Sequence, residues 1–188
     1  MKKIVNFSKI ILGSLLVLTA MNSCKNETKP QASQEIVENQ NNVKLENSAV
    51  ENDANLLEDV AEINLSEIEI GKLAQTKGLS QDVRNYGKML VEDHIKAMEE
   101  LKTLANKKTI TLPILNTEVA TVKYNILKAK TGAEFDKKFS EMMTEGHQKA
   151  VDIMTEIAQK AKDNDIRLWA SRQVSVLTKH TEEAKKLK

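Results

Sequence analysis

The three histidines of this chain each fall where a helical repeat calls for an apolar residue. One face reads Val83, Gly87, Leu90, His94, Ala97, Leu101, Leu104; a second reads Phe139, Met143, His147, Ala150, Met154, Ile157, Ala161; a third reads Ile166, Ala170, Gln173, Leu177, His180, Ala184, Leu187. Steps of three and four mark one side of an α-helix, so each imidazole is expected to point inward, one from each of three helices. A fourth helix carries Leu56, Val60, Ile63, Glu67, Ile70 and Ala74, with a carboxylate in the same kind of slot, although the register Leu57, Ala61, Leu65, Ile68 competes for that helix. Imidazole and carboxylate brought to one level of a bundle suit a single transition-metal ion, Zn, Cu, Fe or Mn, on Glu67, His94, His147 and His180. Asp93, next to His94, is the candidate for an outer carboxylate that orients an imidazole. A histidine on an apolar seam is also a common hydrogen-bonded core residue, so a second reading stands beside the first: a non-catalytic interaction module whose histidines are packing residues.

Other chemistries find little support. Di-iron carboxylate bundles use Glu-x-x-His on two helices, whereas Val91, Thr144 and Leu177 stand three residues before the histidines. A dinuclear redox centre is therefore not expected. There is no G-x-S-x-G elbow, glycine-rich phosphate loop or H-E-x-x-H in the sequence. With 28 Lys+Arg against 27 Asp+Glu the net charge is +1, which gives no field for gripping nucleic acid. One cysteine, Cys24, excludes an intrachain disulfide framework.

The elements that must position these residues are helical. Aromatics make up 3% of the chain, with two Pro and six Gly, and Ala, Leu, Lys, Glu and Met are abundant. Helices are expected over about 53–77, 80–106, 117–130, 133–161 and 165–187. Gly78 with apolar Leu79 reads as a left-handed helix end, Ser80 as the cap of the second helix, Gly132 as the end of the short one, and Thr109–Pro113 as an extended crossing segment. Four long helices and one short one make an antiparallel bundle. Gly71, Gly87 and Gly146 lie inside helices, where each costs about 1 kcal/mol relative to Ala, and so mark close approach or room beside a site. Met142, Met143 and Met154 read as gap-filling core residues, and Trp169 as a core anchor.

Ahead of the bundle stands an address. Lys2, Lys3 and Lys9 precede the apolar stretch Ile10–Ala20, which is too short to span a bilayer and reads as a secretory signal. Met21-Asn22-Ser23-Cys24 follows, and a small residue before a lone Cys fits a lipidation box. The expected organisation is a lipoprotein signal peptide over 1–23, the lipidated Cys24 with a disordered polar tether over 24–52, and a helical head over 53–188. Such a tether has a reach of roughly 30 Å. The expected partner is a membrane, through the lipid on Cys24, in a bacterial cell envelope with the outer membrane favoured.

Several of these segments resemble a bacterial envelope family known as domain of unknown function 4142. They are Ser66–Ala74, Tyr86–His94 with its Asp93-His94 pair, Leu112-Pro113, Phe135–Phe139, Met142-Met143, His147 and the late His180. The resemblance covers about 54–187 and implies an all-α, ferritin-like four-helix bundle with one additional short helix. Glu67, Asp93, His94, His147 and His180 fall on positions of the family pattern, while Lys137 and Phe139 stand where that pattern often has Arg and Tyr. The resemblance supplies no activity. Metal buffering or envelope stress tolerance is the role the residue set suggests.

Overall fold

The computed structural model describes residues 48–114 and 117–187. Five helices follow one another: α1 (Ser48–Lys77), α2 (Gln81–Lys107), α3 (Glu118–Lys128), α4 (Gly132–Lys160) and α5 (Asn164–Ala184). No strand occurs among the described residues. The expected signal, Cys24 and nearly all of the expected tether lie outside the described residues. The first helix begins at Ser48, five residues earlier than its apolar repeat suggests.

Short turns fold α1 back on α2 and α4 back on α5, and these two hairpins form the bundle. Lys108, just past the end of α2, pairs with Asp163 and Asp165 at the start of α5, so these two helices also run antiparallel. The chain therefore leaves α2 at one end of the bundle and must enter α4 at the other. Residues 108–131 make that crossing, with Ile110 buried and with α3 packed on α1 through Ala120 and Leu127.

Both turns are closed in the same reciprocal way. Asp136, in the second turn of α4, accepts the backbone N–H groups of Leu79 (2.8 Å) and Ser80 (2.7 Å) in the α1–α2 turn. Asp53, near the start of α1, accepts those of Lys162 (3.0 Å) and Asp163 (2.8 Å) in the α4–α5 turn. Arg84 donates to the carbonyls of Gly78 and Leu79, and Arg167 donates to those of Ala161 and Lys162. Each carboxylate is buried and answers two otherwise orphaned helix-terminal donors.

Two readings of the turns change here. Gly78 does not adopt the left-handed backbone expected of it, and Leu79 is 61% exposed rather than packed back on the helix. The side chain of Asp136 does the closing instead. Glycine is needed at 78 because a Cβ would stand 2.7 Å from both the Ala74 carbonyl and Val83 Cγ1. Gly132 opens α4 with φ +56° rather than ending the short helix. The cap at Ser80 forms as expected, its hydroxyl accepting Val83 N–H. Gly71 and Gly87 do mark close approach: a Cβ on Gly87 would lie 2.7 Å from the Gly71 carbonyl, so the α1 and α2 backbones touch there.

The apolar core is split in two. One cluster holds Leu57, Val60, Leu101, Ile157, Ile166 and Trp169. The other holds Ile70, Leu90, Leu127, Phe135, Phe139 and Met143. Asn64, His94, His147 and His180 are buried between them in sequence on every long helix, and a polar layer thus crosses the middle of the bundle.

Candidate metal centre

The seams of α2, α4 and α5 turn inward as their periods require. His94 is 3% exposed, His147 2% and His180 0%. Their ring centroids lie 5.8 Å (His94–His147), 5.4 Å (His94–His180) and 5.1 Å (His147–His180) apart. One ring nitrogen from each lies within 4.8 Å of the other two.

The opposite nitrogen of each ring is anchored. His94 Nδ1 meets Asn64 Oδ1 at 2.8 Å, and the Asn64 amide donates to the Val60 carbonyl at 2.9 Å, which fixes Oδ1 as the acceptor. His147 Nδ1 meets the Met143 carbonyl at 2.8 Å, one turn back on its own helix. His180 Nε2 meets Asp93 Oδ2 at 2.9 Å. A carbonyl, an amide oxygen and a carboxylate can only accept, so each ring donates its proton outward. The nitrogens left over are His94 Nε2, His147 Nε2 and His180 Nδ1, and all three are sealed from solvent without a hydrogen-bond partner among the described residues. Three imidazoles thus aim their remaining ring nitrogens into one shared space. Buried acceptors without donors cost free energy, about 1–3 kcal/mol each, and an outer hydrogen bond that fixes the tautomer is the usual companion of a metal-binding histidine.

Asp93 does orient an imidazole, but the ring belongs to His180 on α5 rather than to its neighbour His94. Glu67 is not among the three residues whose ligand atoms lie within 4.8 Å of one another. Its carboxylate is nonetheless buried at the same level of the bundle: Oε2 is sealed and unpartnered, and Oε1 would sit 4.0 Å from a Cβ on Gly146. The space beside Gly146 is therefore where the carboxylate faces α4. Tyr86 packs edge-on to His147 and His180 and donates to the His180 carbonyl at 3.0 Å. Asn64, the Met143 carbonyl and Tyr86 were not singled out by type and spacing as site residues. Asn64 falls between the two competing registers of α1, and a backbone carbonyl leaves no mark in a sequence pattern.

Electrostatics follow burial. Desolvation holds His94 well below the ordinary imidazole range, with His147 and His180 adding to the effect. Desolvation also lowers His180, against the pull of Asp93. It raises Glu67 above the usual carboxylate range, opposed by His147 and Lys123. The sign of the pH dependence follows. Below about pH 6.5 the unfolded chain takes up protons on His94 and His180 that the folded protein refuses, so stability present above that pH is lost as pH falls, by up to about 1.4 kcal/mol per unit and histidine. Glu67 acts oppositely: between 4.5 and its raised value, the folded state keeps a proton that the unfolded chain has lost. Two histidines outweigh one carboxylate. Chelator-treated protein is expected to be about 2 kcal/mol less stable at pH 5.5 than at pH 7.5; equal denaturant midpoints at the two pH values would contradict neutral, buried rings.

Residues 38–187 match the sequence pattern of the family described as Domain of unknown function (DUF4142). Among curated proteins and among solved structures, none matches this chain.

Proposed function

Since the chain belongs to the DUF4142 family, whose description assigns no activity, we propose its role from its own site: an envelope protein that holds one transition-metal ion on His94, His147 and His180. One observation carries this reading. Three nitrogen lone pairs converge in a buried layer while the opposite nitrogen of every ring is tied down. A cation supplies what the three lone pairs lack. Zn, Cu, Fe and Mn all accept imidazole, and the carboxylates of Glu67, with one oxygen sealed, and of the half-exposed Asp93 provide negative charge for a divalent ion. Metal buffering or tolerance of metal stress in the envelope is the corresponding role.

The test is elemental analysis of protein purified without a histidine tag or chelator, with melts recorded in Zn, Cu, Fe and Mn. Near-stoichiometric metal with a raised midpoint is expected. Neither metal nor any shift across the four ions would leave the other reading, an interaction module with buried histidines.

The envelope address rests on the basic start, the apolar Ile10–Ala20 and the lone Cys24. No helix among the described residues is long and apolar enough to cross a membrane, which is compatible with attachment through a lipid. Metabolic labelling of a bacterial host with a fatty acid is expected to mark the wild-type protein and not Cys24→Ser. Equal labelling, or none in either, would remove the anchor.

A further inference from the structure

Five glycines stand among the described residues, and four have a structural reason. A Cβ on Gly71, Gly78 or Gly87 would stand 2.7 to 2.8 Å from a backbone oxygen, and Gly132 has φ +56°. Gly146 has neither reason. Its backbone is ordinary helix, and a Cβ there would meet nothing beyond its own helix closer than Glu67 Oε1, at 4.0 Å. Glycine inside a helix weakens it relative to alanine, so the missing side chain leaves a gap that packing does not explain. The gap adjoins His147 in the chain and faces a carboxylate whose Oε2 is sealed and unpartnered. Gly146 is itself half-buried, so the gap is not closed to solvent. Burial works against a charge on Glu67, while His147 and Lys123 favour one. Elsewhere around the cluster the approach differs. Asp93 and Asn64 already hold the outward ring nitrogens of His180 and His94, so a cation arriving past them finds no free nitrogen.

We propose that the gap at Gly146 is the port through which the ion reaches the histidines, and that Glu67 receives it there and passes it to His147 Nε2. The inference rests on the metal reading given above and adds a route to it. A carboxylate oxygen binds the same ions as imidazole, and its charge attracts a hydrated cation from farther away than a neutral ring does. The transfer exchanges an oxygen ligand for a nitrogen ligand on the ion and breaks no covalent bond. A port sets the barrier between the free and the bound ion and leaves both end states alone, so filling it alters loading and release together.

The test is kinetic. The full chain, stripped by chelator, is loaded with whichever of Zn, Cu, Fe and Mn raises its melting midpoint. Loading, and release to excess chelator, are followed by stopped flow with a chromogenic chelator. Glu67→Gln is expected to slow loading about tenfold, the low end of what a focused charge contributes to an on-rate. Gly146→Leu is expected to slow loading and release by the same factor, with an unchanged dissociation constant. Ala97→Leu, at a half-buried position beside Asp93 and His94, is expected to load and release like wild type. Gly146→Ala, which adds only the Cβ, is expected to raise the metal-free midpoint by about 3 °C; a fall would give the glycine a structural role and overturn the port. Loading at the wild-type rate in Glu67→Gln or Gly146→Leu, or slowed by Ala97→Leu instead, also overturns the port and leaves the metal reading standing. Faster release from Glu67→Gln with unchanged loading would make Glu67 a resident ligand and have the same consequence. If none of the four ions binds wild type, with His147→Ala no different, both readings fall.

Discussion

His147→Ala is expected to erase the metal-dependent rise in melting temperature while leaving the metal-free midpoint within a few degrees of wild type. A ligand that binds only the folded state at a hundred times its dissociation constant stabilises it by about 2.7 kcal/mol. For a domain of this size that is on the order of 8 °C. Removal of one of three converging nitrogens takes away most of that increment, because two imidazoles alone do not hold an ion tightly. The metal-free cost is small for a specific reason. His147 Nε2 has no hydrogen-bond partner to lose, and taking it away relieves the crowding of lone pairs with His94 Nε2 and His180 Nδ1. Its bond to the Met143 carbonyl is local and water-replaceable once the ring is gone. Two melts per protein, with chelator and with metal, decide the matter. A large fall for His147→Ala in chelator, with the same metal-induced rise in both proteins, would make the histidines packing residues.

The second large effect is expected far from the histidines. Asp136→Ala should lower stability by about 3 kcal/mol, since two charge-assisted hydrogen bonds to backbone N–H groups disappear from a carboxylate that is 4% exposed. The midpoint should fall by about 10 °C. Asp136→Asn keeps one acceptor oxygen and should lose roughly half as much. Asp53→Ala, at the opposite end of the bundle, should cost a similar amount, and the double variant should cost the sum because the two sites share no partners. Chemical denaturation of the four proteins measures this. A loss under 1 kcal/mol for both single variants would mean that water replaces the carboxylates in the turns.

How much of this was readable beforehand differs from residue to residue. The three histidines were legible because each replaces an apolar residue in an unbroken three-four repeat, and a helix in a bundle buries one face. The all-α bundle followed from the same periodicity, and the resemblance to the family rested on motifs such as Tyr86–His94. Asp93 was visible only as a neighbour of His94. Adjacent helical residues do not face each other, so its carboxylate turns to His180 on α5, a pairing set by how helices meet. Asn64 was missed because polar residues ordinarily mark the outside of a helix and two apolar registers of α1 straddle it. Gly78 was misread because a glycine after a helix usually signals a left-handed residue, and nothing local reveals that Asp136, across the bundle, closes the turn. The early start of α1 was hidden by a polar composition that also suits a tether.

The reciprocal carboxylates carry one more consequence. Asp53 and Asp136, Leu79 and Lys162, Ser80 and Asp163, and Arg84 and Arg167 are all the same distance apart along the chain, and they make the same bonds. The match continues inward: Asn64 bonds the Val60 carbonyl as His147 bonds that of Met143, and Tyr86 corresponds to Trp169. The bundle therefore has an approximate internal two-fold axis, with α1–α2 and α4–α5 as its two copies. The histidines break that symmetry, since Leu177 and Ala97 hold the places equivalent to His94 and His180, and one centre results where a symmetric bundle would have two. Symmetry also makes the order of the hairpins interchangeable. A circular permutant that begins at Gly132 and joins Leu187 to Ser48 through a flexible linker about as long as the 108–131 crossing is expected to fold with the same helical content and the same histidine cluster.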